Sequence, residues 1–372
     1  MPSNDLTTVG TVIIGAGQAG LSTAYHLTRA GHPCVVLDAN ERIGDNWRQR
    51  YDSLRLFTPN GANGLPGLPF PGPRWAFATR DEVAAYLETY ADRFRLPVRL
   101  GTRVTHVGRR GDGFEVETDH GRFVCDSVVV ATGSKGRTPS VPAVSAELDA
   151  SILQLHSDAY RRPADVPEGP VLVVGAGHSG CDIALELAAS HPVTLAGRDP
   201  GQIPVSWDSP LLRVVLPLAL LTHRHVRTRR TPFGRRQRPY VLAHGGPMLR
   251  VKRADLEAAG VVRTHARVSG SRDGLPLLDD GTTVPARTVV WATGFRHDFS
   301  WLDLPVLDGS GWPREYRGVA QDVDGLFFTG LAYQYSFASM DLHGVGRDAA
   351  YVARRVLART PATRHTEQPA AV

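Results

Sequence analysis

Val12-Ile13-Ile14-Gly15-Ala16-Gly17-Gln18-Ala19-Gly20-Leu21-Ser22-Thr23-Ala24-Tyr25-His26-Leu27 decides the fold of this chain. A short β-branched run opens directly onto a G-x-G-x-x-G turn, and a helix-patterned segment follows. Gly31 ends that segment, Cys34-Val35-Val36-Leu37 supplies a second buried strand, and Asp38 closes it. This is a dinucleotide-binding βαβ unit with its context intact. Gly15 allows the tight turn, Gly17 lets the backbone approach a pyrophosphate, and Gly20 lets helix and strand pack closely. The helix N-terminus presents its free N–H groups to phosphate charge. Asp38 stands where an acid binds ribose hydroxyls.

Working outward, the unit recurs. Val171-Leu172-Val173-Val174 leads into Gly175-Ala176-Gly177-His178-Ser179-Gly180, a helix over 182–189, and a strand Val193-Thr194-Leu195-Ala196. Each unit is followed by a strand ending in Ala-Thr-Gly: Ala131-Thr132-Gly133 after Phe123–Val130, and Ala292-Thr293-Gly294 after Thr288–Trp291. Two nucleotide-binding domains of one type follow, an α/β fold with two Rossmann-like domains, the second inserted in the first. The expected boundaries are 1–163 for the first part of the first domain and 164–294 for the second domain, with a helical, basic insertion near 207–240. Residues 295–372 return to the first domain and end in a helix. After the second unit, where an NAD site shows an acid, the chain reads Ala196-Gly197-Arg198. Arginine there suits the 2′-phosphate of NADPH.

Between the units, Asn60–Trp75 is dense in Gly and Pro and reads as an irregular, packed wall containing Leu65, Leu68, Phe70 and Trp75. A helix is expected over 81–94 with Thr79 as N-cap, then short strands at 98–100, 103–107, 114–118 and 123–130. Leu211–Leu221 is an apolar run interrupted by Pro217 and followed by an arginine-rich stretch to Arg238. It is too short to span a bilayer. It reads as a lid over a substrate channel or a subunit contact in a homodimer, ahead of a peripheral membrane contact through 211–238.

Composition agrees with an enzyme. The chain has 372 residues, 42% hydrophobic and 21% charged, which suffices for two domains. Lys135 and Lys252 are its only lysines, so the net charge of +5 is carried by arginine. No nucleic-acid motif accompanies that charge. Cys34, Cys125 and Cys181 lie far apart in apolar runs and form no C-x-x-C, which reads as reduced buried thiols. The N-terminus lacks a signal-peptide pattern, so a cytoplasmic protein is expected. His223, His225, His244 and His343 show no ligand spacing, and no metal is expected.

The order of these motifs resembles the flavin-containing monooxygenase superfamily of two-dinucleotide-binding-domain flavoproteins, specifically its YUCCA-like bacterial branch. Gly44-Asp45-x-Trp47, Trp47-Arg48-x-Arg50-Tyr51-Asp52-Ser53-Leu54-Arg55-Leu56 and Leu65-Pro66-Gly67-Leu68-Pro69-Phe70-Pro71 carry the likeness. The resemblance implies FAD at the first fingerprint (Gly15, Gly17, Gln18, Ala19, Gly20, Asp38), with Asn46 and Trp47 along the flavin and Val104 beside the adenine. Ala131 and Gly133 follow, and Gly330 closes over the ribityl chain. It implies NADPH at Gly175, Gly177, His178, Ser179, Gly180, Arg198, Thr293 and Gly294. The start of the last helix, His343-Gly344-Val345-Gly346, either faces the flavin with its N–H groups or simply caps. Phe57, Thr58 and Asn60 are the candidates for the active-site wall, Phe57 falling where the animal enzymes carry an asparagine. In the family identifier Phe-x-Gly-x-x-x-His-x-x-x-Tyr/Phe, His156 and Tyr160 match, while Ala150 and Ile152 replace the first two residues. His156 is assigned a structural role.

The implied activity is insertion of one oxygen atom from O₂ into a small organic substrate through a C4a-(hydro)peroxyflavin, with NADPH as reductant. Because the flavin carries that chemistry, no acid–base motif is required. The alternatives are an NAD(P)H-dependent flavin oxidase or reductase releasing H₂O₂, and a non-catalytic nucleotide-binding protein.

Overall fold

The computed structural model describes residues 6–134, 136–207 and 209–359. The chain opens with β1 (Leu6–Ile14), α1 (Gln18–Arg29) and β2 (Cys34–Leu37). β1 and β2 pair in parallel from Thr11↔Cys34 to Ile14↔Leu37. Their side chains alternate between two cores: Ile13 and Val36 face one, Val12, Ile14, Val35 and Leu37 the other. A strand buried on both faces reads as a continuous apolar run, which is how these segments look in sequence.

A one-turn helix α2 (Asp45–Arg48) starts behind Gly44, whose φ of +85° favours glycine. The long α3 (Arg80–Arg93) starts at a capping box in which Thr79 and Glu82 satisfy each other's backbone N–H groups. Two tyrosines one turn apart on α3 hold the preceding loop. Tyr86 Oη accepts from Leu65 N and donates to Leu68 O, both at 2.7 Å, and Tyr90 Oη donates to Pro66 O at 2.7 Å. The loop therefore satisfies its buried backbone without regular structure. Leu65 and Phe70 are buried, as the packed-wall reading requires.

β3 (Val98–Arg99), β4 (Val104–Arg110), β5 (Gly113–Thr118) and β6 (Gly121–Val130) follow. The chain then passes through β7 (Thr138–Pro139) into a second sheet. That sheet starts with β8 (Leu153–His156) and continues with β9 (Val171–Val174), α4 (His178–Leu187) and β10 (Val193–Ala196). Three helices come next: α5 (Leu212–His225), α6 (Pro232–Ala243) and α7 (Arg253–Ala258). The domain is completed by β11 (Val262–Thr264), a hairpin of β12 (Val268–Arg272) and β13 (Leu275–Leu278), and β14 (Thr288–Trp291). β15 (Phe295–Arg296) runs antiparallel to β7, so the two passages between the domains are stitched together. β16 (Glu315–Tyr316), β17 (Val319–Ala320), β18 (Leu326–Phe328) and α8 (Leu342–Arg359) close the chain.

The central strands run β3-β2-β1-β6-β18 in the first sheet, and the second sheet runs β11-β10-β9-β14-β8. In each, the fingerprint strand lies centrally and the Ala-Thr-Gly strand is its neighbour. β8 pairs with β14 from Leu153↔Thr288 to His156↔Trp291, so the second sheet recruits a strand from before residue 163. The Pro-rich stretch 161–169 is part of the crossover between β8 and β9, two strands of one sheet.

Candidate functional site

The two fingerprints are built alike atom by atom. Gly15 has φ +110° and Gly175 φ +107°, and a Cβ on either would lie 2.6 or 2.5 Å from the carbonyl oxygen of Ala131 or Ala292. A Cβ on Gly20 or Gly180 would lie 1.8 Å from the carbonyl oxygen of Gly15 or Gly175. These four glycines are required by protein packing. Gly17 and Gly177 are different. Added Cβ atoms there meet only Asn46 Nδ2 at 3.9 Å in the first case and nothing within 4 Å in the second. Gly133 and Gly294, with positive φ, also face open space. Both helices begin on a glycine with no side-chain cap, so their first-turn N–H groups remain available. An open cradle above uncapped helix N-termini fits a pyrophosphate at each fingerprint.

At the first fingerprint, Asp38 Oδ2 accepts from Ala16 N at 2.6 Å, while Asn40 donates to Oδ1 through its backbone and amide nitrogens at 2.8 and 2.7 Å. The carboxylate is thereby fixed beside the turn. Thr102 N donates to the Asp38 carbonyl at 2.8 Å, which brings the start of β4, and Val104 with it, to the same edge. Gln18 Nε2 donates to Met340 O at 3.2 Å, and a Cβ on Gly330 would lie 2.6 Å from Ala19 Cβ. The C-terminal segment thus closes directly onto the first turn of α1.

The first turn of α8 is less open than the sequence allows. Gly344 and Val345 already donate to the Asp341 carbonyl at 3.1 and 3.0 Å. A Cβ on Gly344 would collide with Ala338 O, and one on Gly346 with Pro66. Both glycines are close-packing residues. Asp341 is largely buried, with a tenth of its side chain exposed, which pushes its carboxyl up to about 7, and burial lowers the neighbouring His343 to about 4.

At the second fingerprint Arg198 is exposed at the end of β10. The acid next to it, Asp199, is already engaged. Arg253 donates to both its carboxylate oxygens, Arg263 Nη2 lies 2.8 Å from Oδ2, and Gly201 N donates to Oδ1 at 2.7 Å. The Arg253 hydrogen bond, foremost among these, holds Asp199 well below the usual carboxylate range. Its oxygens are therefore withdrawn from ribose recognition. Thr293 turns away from the cradle, donating to Ser140 O at 2.5 Å. His156 Nε2 lies 2.9 Å from Gly294 O and its Nδ1 accepts from Asp158 N at 3.1 Å. Both ring nitrogens are committed, which agrees with a structural role.

Between the domains lies a cavity of about 170 Å³. Trp47, Tyr51 and Phe57 wall it on the first-domain side, and His178, Ser179 and Asp182 on the second. The Trp47 indole N–H is buried without a protein partner and the Phe57 ring lies 6.1 Å from that of His178. Of the three wall candidates, Phe57 lines this cavity. Thr58 and Asn60 do not: both are buried in the loop, where the Thr58 hydroxyl donates to Asn63 Oδ1 at 2.5 Å. Residues 57 and 58 form a bend and Asn60 opens a 3₁₀ turn, so side chains adjacent in sequence face different surroundings.

Sequence reasoning missed the clasp around this cavity. Tyr51 Oη donates to Asp182 at 3.0 Å, Arg250 pairs with the same carboxylate at 3.3 Å, and Ser53 and Tyr160 donate to Glu186 at 3.0 and 3.2 Å. Burial raises the Glu186 carboxyl, opposed by those two donors. The available signal was the pair of acids one turn apart on a helix that is otherwise apolar. The cysteines are all buried and free, and burial pushes the Cys125 and Cys181 thiols up to about 12. They are poor nucleophiles for disulfide exchange.

The profile of the pyridine nucleotide-disulphide oxidoreductase family matches residues 12–212. A CzcO-like oxidoreductase of Geobacillus kaustophilus is 35% identical over 351 residues, covering 94% of this chain and 98% of that protein. An indole-3-pyruvate monooxygenase of Oryza sativa, YUCCA1, is 29% identical over 382 residues, covering 93% and 91%. Among solved structures, a flavin-containing monooxygenase from Stenotrophomonas maltophilia superposes with a TM-score of 0.72 at 28% identity, covering 95% of this chain and 99% of that one.

Proposed function

Since the chain belongs to the pyridine nucleotide-disulphide oxidoreductase family and, within it, to the flavin-containing monooxygenases, NADPH-dependent enzymes that use FAD, we propose that it inserts one oxygen atom of O₂ into a small organic substrate. The observation that carries this reading is the cavity shared by Trp47 and Phe57 with His178 and Ser179, because residues of both nucleotide-binding domains line it. FAD held at the first fingerprint would supply hydride acceptance from NADPH and reaction with O₂.

The chain's own residues do the rest. Gly17 and the first turn of α1 hold the FAD pyrophosphate, and Asp38 receives the ribose. Asn46, whose amide lies opposite Gly17, and Trp47 flank the flavin. Gly177 and the first turn of α4 hold the NADPH pyrophosphate, with Arg198 on the 2′-phosphate. Phe57 gives one wall of the cavity an apolar surface. The Tyr51–Asp182 and Ser53–Glu186 bonds fix the distance between the cradles and so the alignment for hydride transfer. The same reading places the enzyme in the cytoplasm, where its reduced cysteines and its NADPH supply are at home. Among the described residues no helix is long and apolar enough to cross a membrane.

A specific observation also favours the NADPH oxidase reading: the wall position holds Phe57, which cannot donate a hydrogen bond to reduced oxygen. The two readings separate in a stopped-flow experiment. The FAD-loaded enzyme is reduced anaerobically with NADPH, mixed with O₂, and followed by flavin absorbance and by H₂O₂ release. Delayed return of oxidised flavin, with H₂O₂ below stoichiometry once a substrate is present, supports oxygen insertion. Immediate return with stoichiometric H₂O₂ under every substrate tested supports the oxidase. Failure of NADPH to reduce the flavin sinks both.

A further inference from the structure

The α5–α6 hairpin carries the largest feature that this function leaves unused. On α5, Leu211, Val214, Leu218 and Leu221 recur at helical spacing along one face and are 56%, 71%, 63% and 56% exposed. On α6, Phe233 and Tyr240 stand two turns apart and are also exposed. Exposed apolar side chains repeated along one helix face, as on α5, mark an interaction surface.

Its opposite face is already occupied. The turn after α5 forms a β-bridge between Thr228 and Ser336, and Arg229 N donates to Tyr335 O at 2.8 Å. The Arg229 guanidinium donates to the buried Glu315 carboxylate at 2.5 Å, and Arg347 Nη1 donates to Arg224 O at 2.7 Å. Anchored in this way, the hairpin turns its leucines outward. No residue of α5 or α6 lines the cavity between the fingerprints.

Charge identifies the occupant. No acidic residue occurs between Asp208 and Asp255, while that interval holds eleven lysines and arginines. Arg213, Arg230, Arg235 and Arg236 are exposed and have no carboxylate partner among the described residues. A second copy of the chain meeting this face about a two-fold axis would set one acid-free basic rim against another. An anionic bilayer has the opposite demand: leucines and aromatics enter the acyl boundary while arginines meet phosphate headgroups. We propose that the α5–α6 hairpin docks the enzyme peripherally on an anionic lipid surface, with Leu211, Val214, Leu218, Leu221, Phe233 and Tyr240 inserted and the surrounding arginines on the headgroups.

The test is co-sedimentation of the FAD-loaded full chain with vesicles of phosphatidylcholine containing roughly one third phosphatidylglycerol, and with pure phosphatidylcholine. Light scattering on the same samples gives the oligomeric state. Binding to the anionic vesicles at low salt, released at high salt and much weaker on pure phosphatidylcholine, is expected. Leu218→Glu with Leu221→Glu, and separately Arg235→Glu with Arg236→Glu, each lower partitioning roughly tenfold or more. FAD content and NADPH oxidation without vesicles stay unchanged, since all four residues are surface-exposed and outside the cavity. The proposal is overturned if the wild-type chain ignores anionic vesicles at low salt, or if the leucine variant binds as well as wild type. It is equally overturned if the face proves to hold a dimer that the leucine variant dissolves, with no vesicle binding.

Discussion

Gly17→Ala separates what the first fingerprint does for the protein from what it does for the cofactor. Gly17 has φ −78° and ψ −176°, an extended conformation that alanine adopts freely, and its added Cβ would touch only Asn46 Nδ2 at 3.9 Å. The protein itself gives the methyl group room. The remaining cost is the poorer N-cap, roughly 0.5–1 kcal/mol. The pyrophosphate, however, must retreat from the first turn of α1. Loss of two charge-assisted hydrogen bonds at about 1.5 kcal/mol each gives about 3 kcal/mol, or roughly a hundredfold weaker FAD binding. Titration of apoprotein with FAD, followed by flavin fluorescence, measures that loss, and thermal unfolding of the apoprotein checks the fold. Gly20→Ala is the contrasting control, because its Cβ would lie 1.8 Å from Gly15 O and α1 must move off β1. The apoprotein should then lose stability itself, by about 3 kcal/mol or more. If Gly17→Ala bound FAD as tightly as wild type, the pyrophosphate would not lie where the open cradle puts it. If both variants behaved alike, the distinction between packing and ligand glycines would fail.

Arg198→Ala should raise KM for NADPH about tenfold, one exposed charge-assisted contact of about 1.4 kcal/mol, and leave KM for NADH nearly unchanged; equal changes for both cofactors would remove Arg198 from the 2′-phosphate site. Tyr51→Phe keeps the ring and deletes the bond to Asp182, so stability should fall by about 1 kcal/mol. Anaerobic flavin reduction by NADPH should slow while FAD affinity holds, and an unchanged reduction rate would make the clasp purely structural. Burial raises the Asp341 carboxyl from 3.8 to about 7, so the folded state disfavours the charged form. Folding stability of the apoprotein should be highest below about pH 4 from this group and decline as pH rises to about 7, by at most roughly 4 kcal/mol. Asp341→Asn should flatten that decline and be the more stable protein at pH 8, as read by thermal unfolding across pH. A variant less stable than wild type at pH 8 would show that the carboxylate is needed charged.

Much of this protein is local in origin and therefore legible in its sequence. The two βαβ units, their glycines and the Thr79 cap depend on φ/ψ preferences, apolar period and neighbours within a few residues. The packed loop could be expected because Gly and Pro break regular structure while Leu65 and Phe70 still seek burial. What required the tertiary structure is everything set by residues far apart in the chain. Arg253 and Arg263 reach Asp199 across more than fifty residues and cancel an acid that would otherwise compete with the Arg198 reading. Tyr51 meets Asp182 over a separation of 131 residues. β8 joins β14 rather than the domain that precedes it. Which of Phe57, Thr58 and Asn60 lines the cavity depended on how the bend at 57–58 and the 3₁₀ turn at Asn60 pack, and the fate of the apolar α5 depended on which side Glu315 and the Thr228–Ser336 bridge left exposed. Local propensities are encoded in short windows, whereas pairing across the chain is decided only when the whole core closes and selects one partner for each buried polar group.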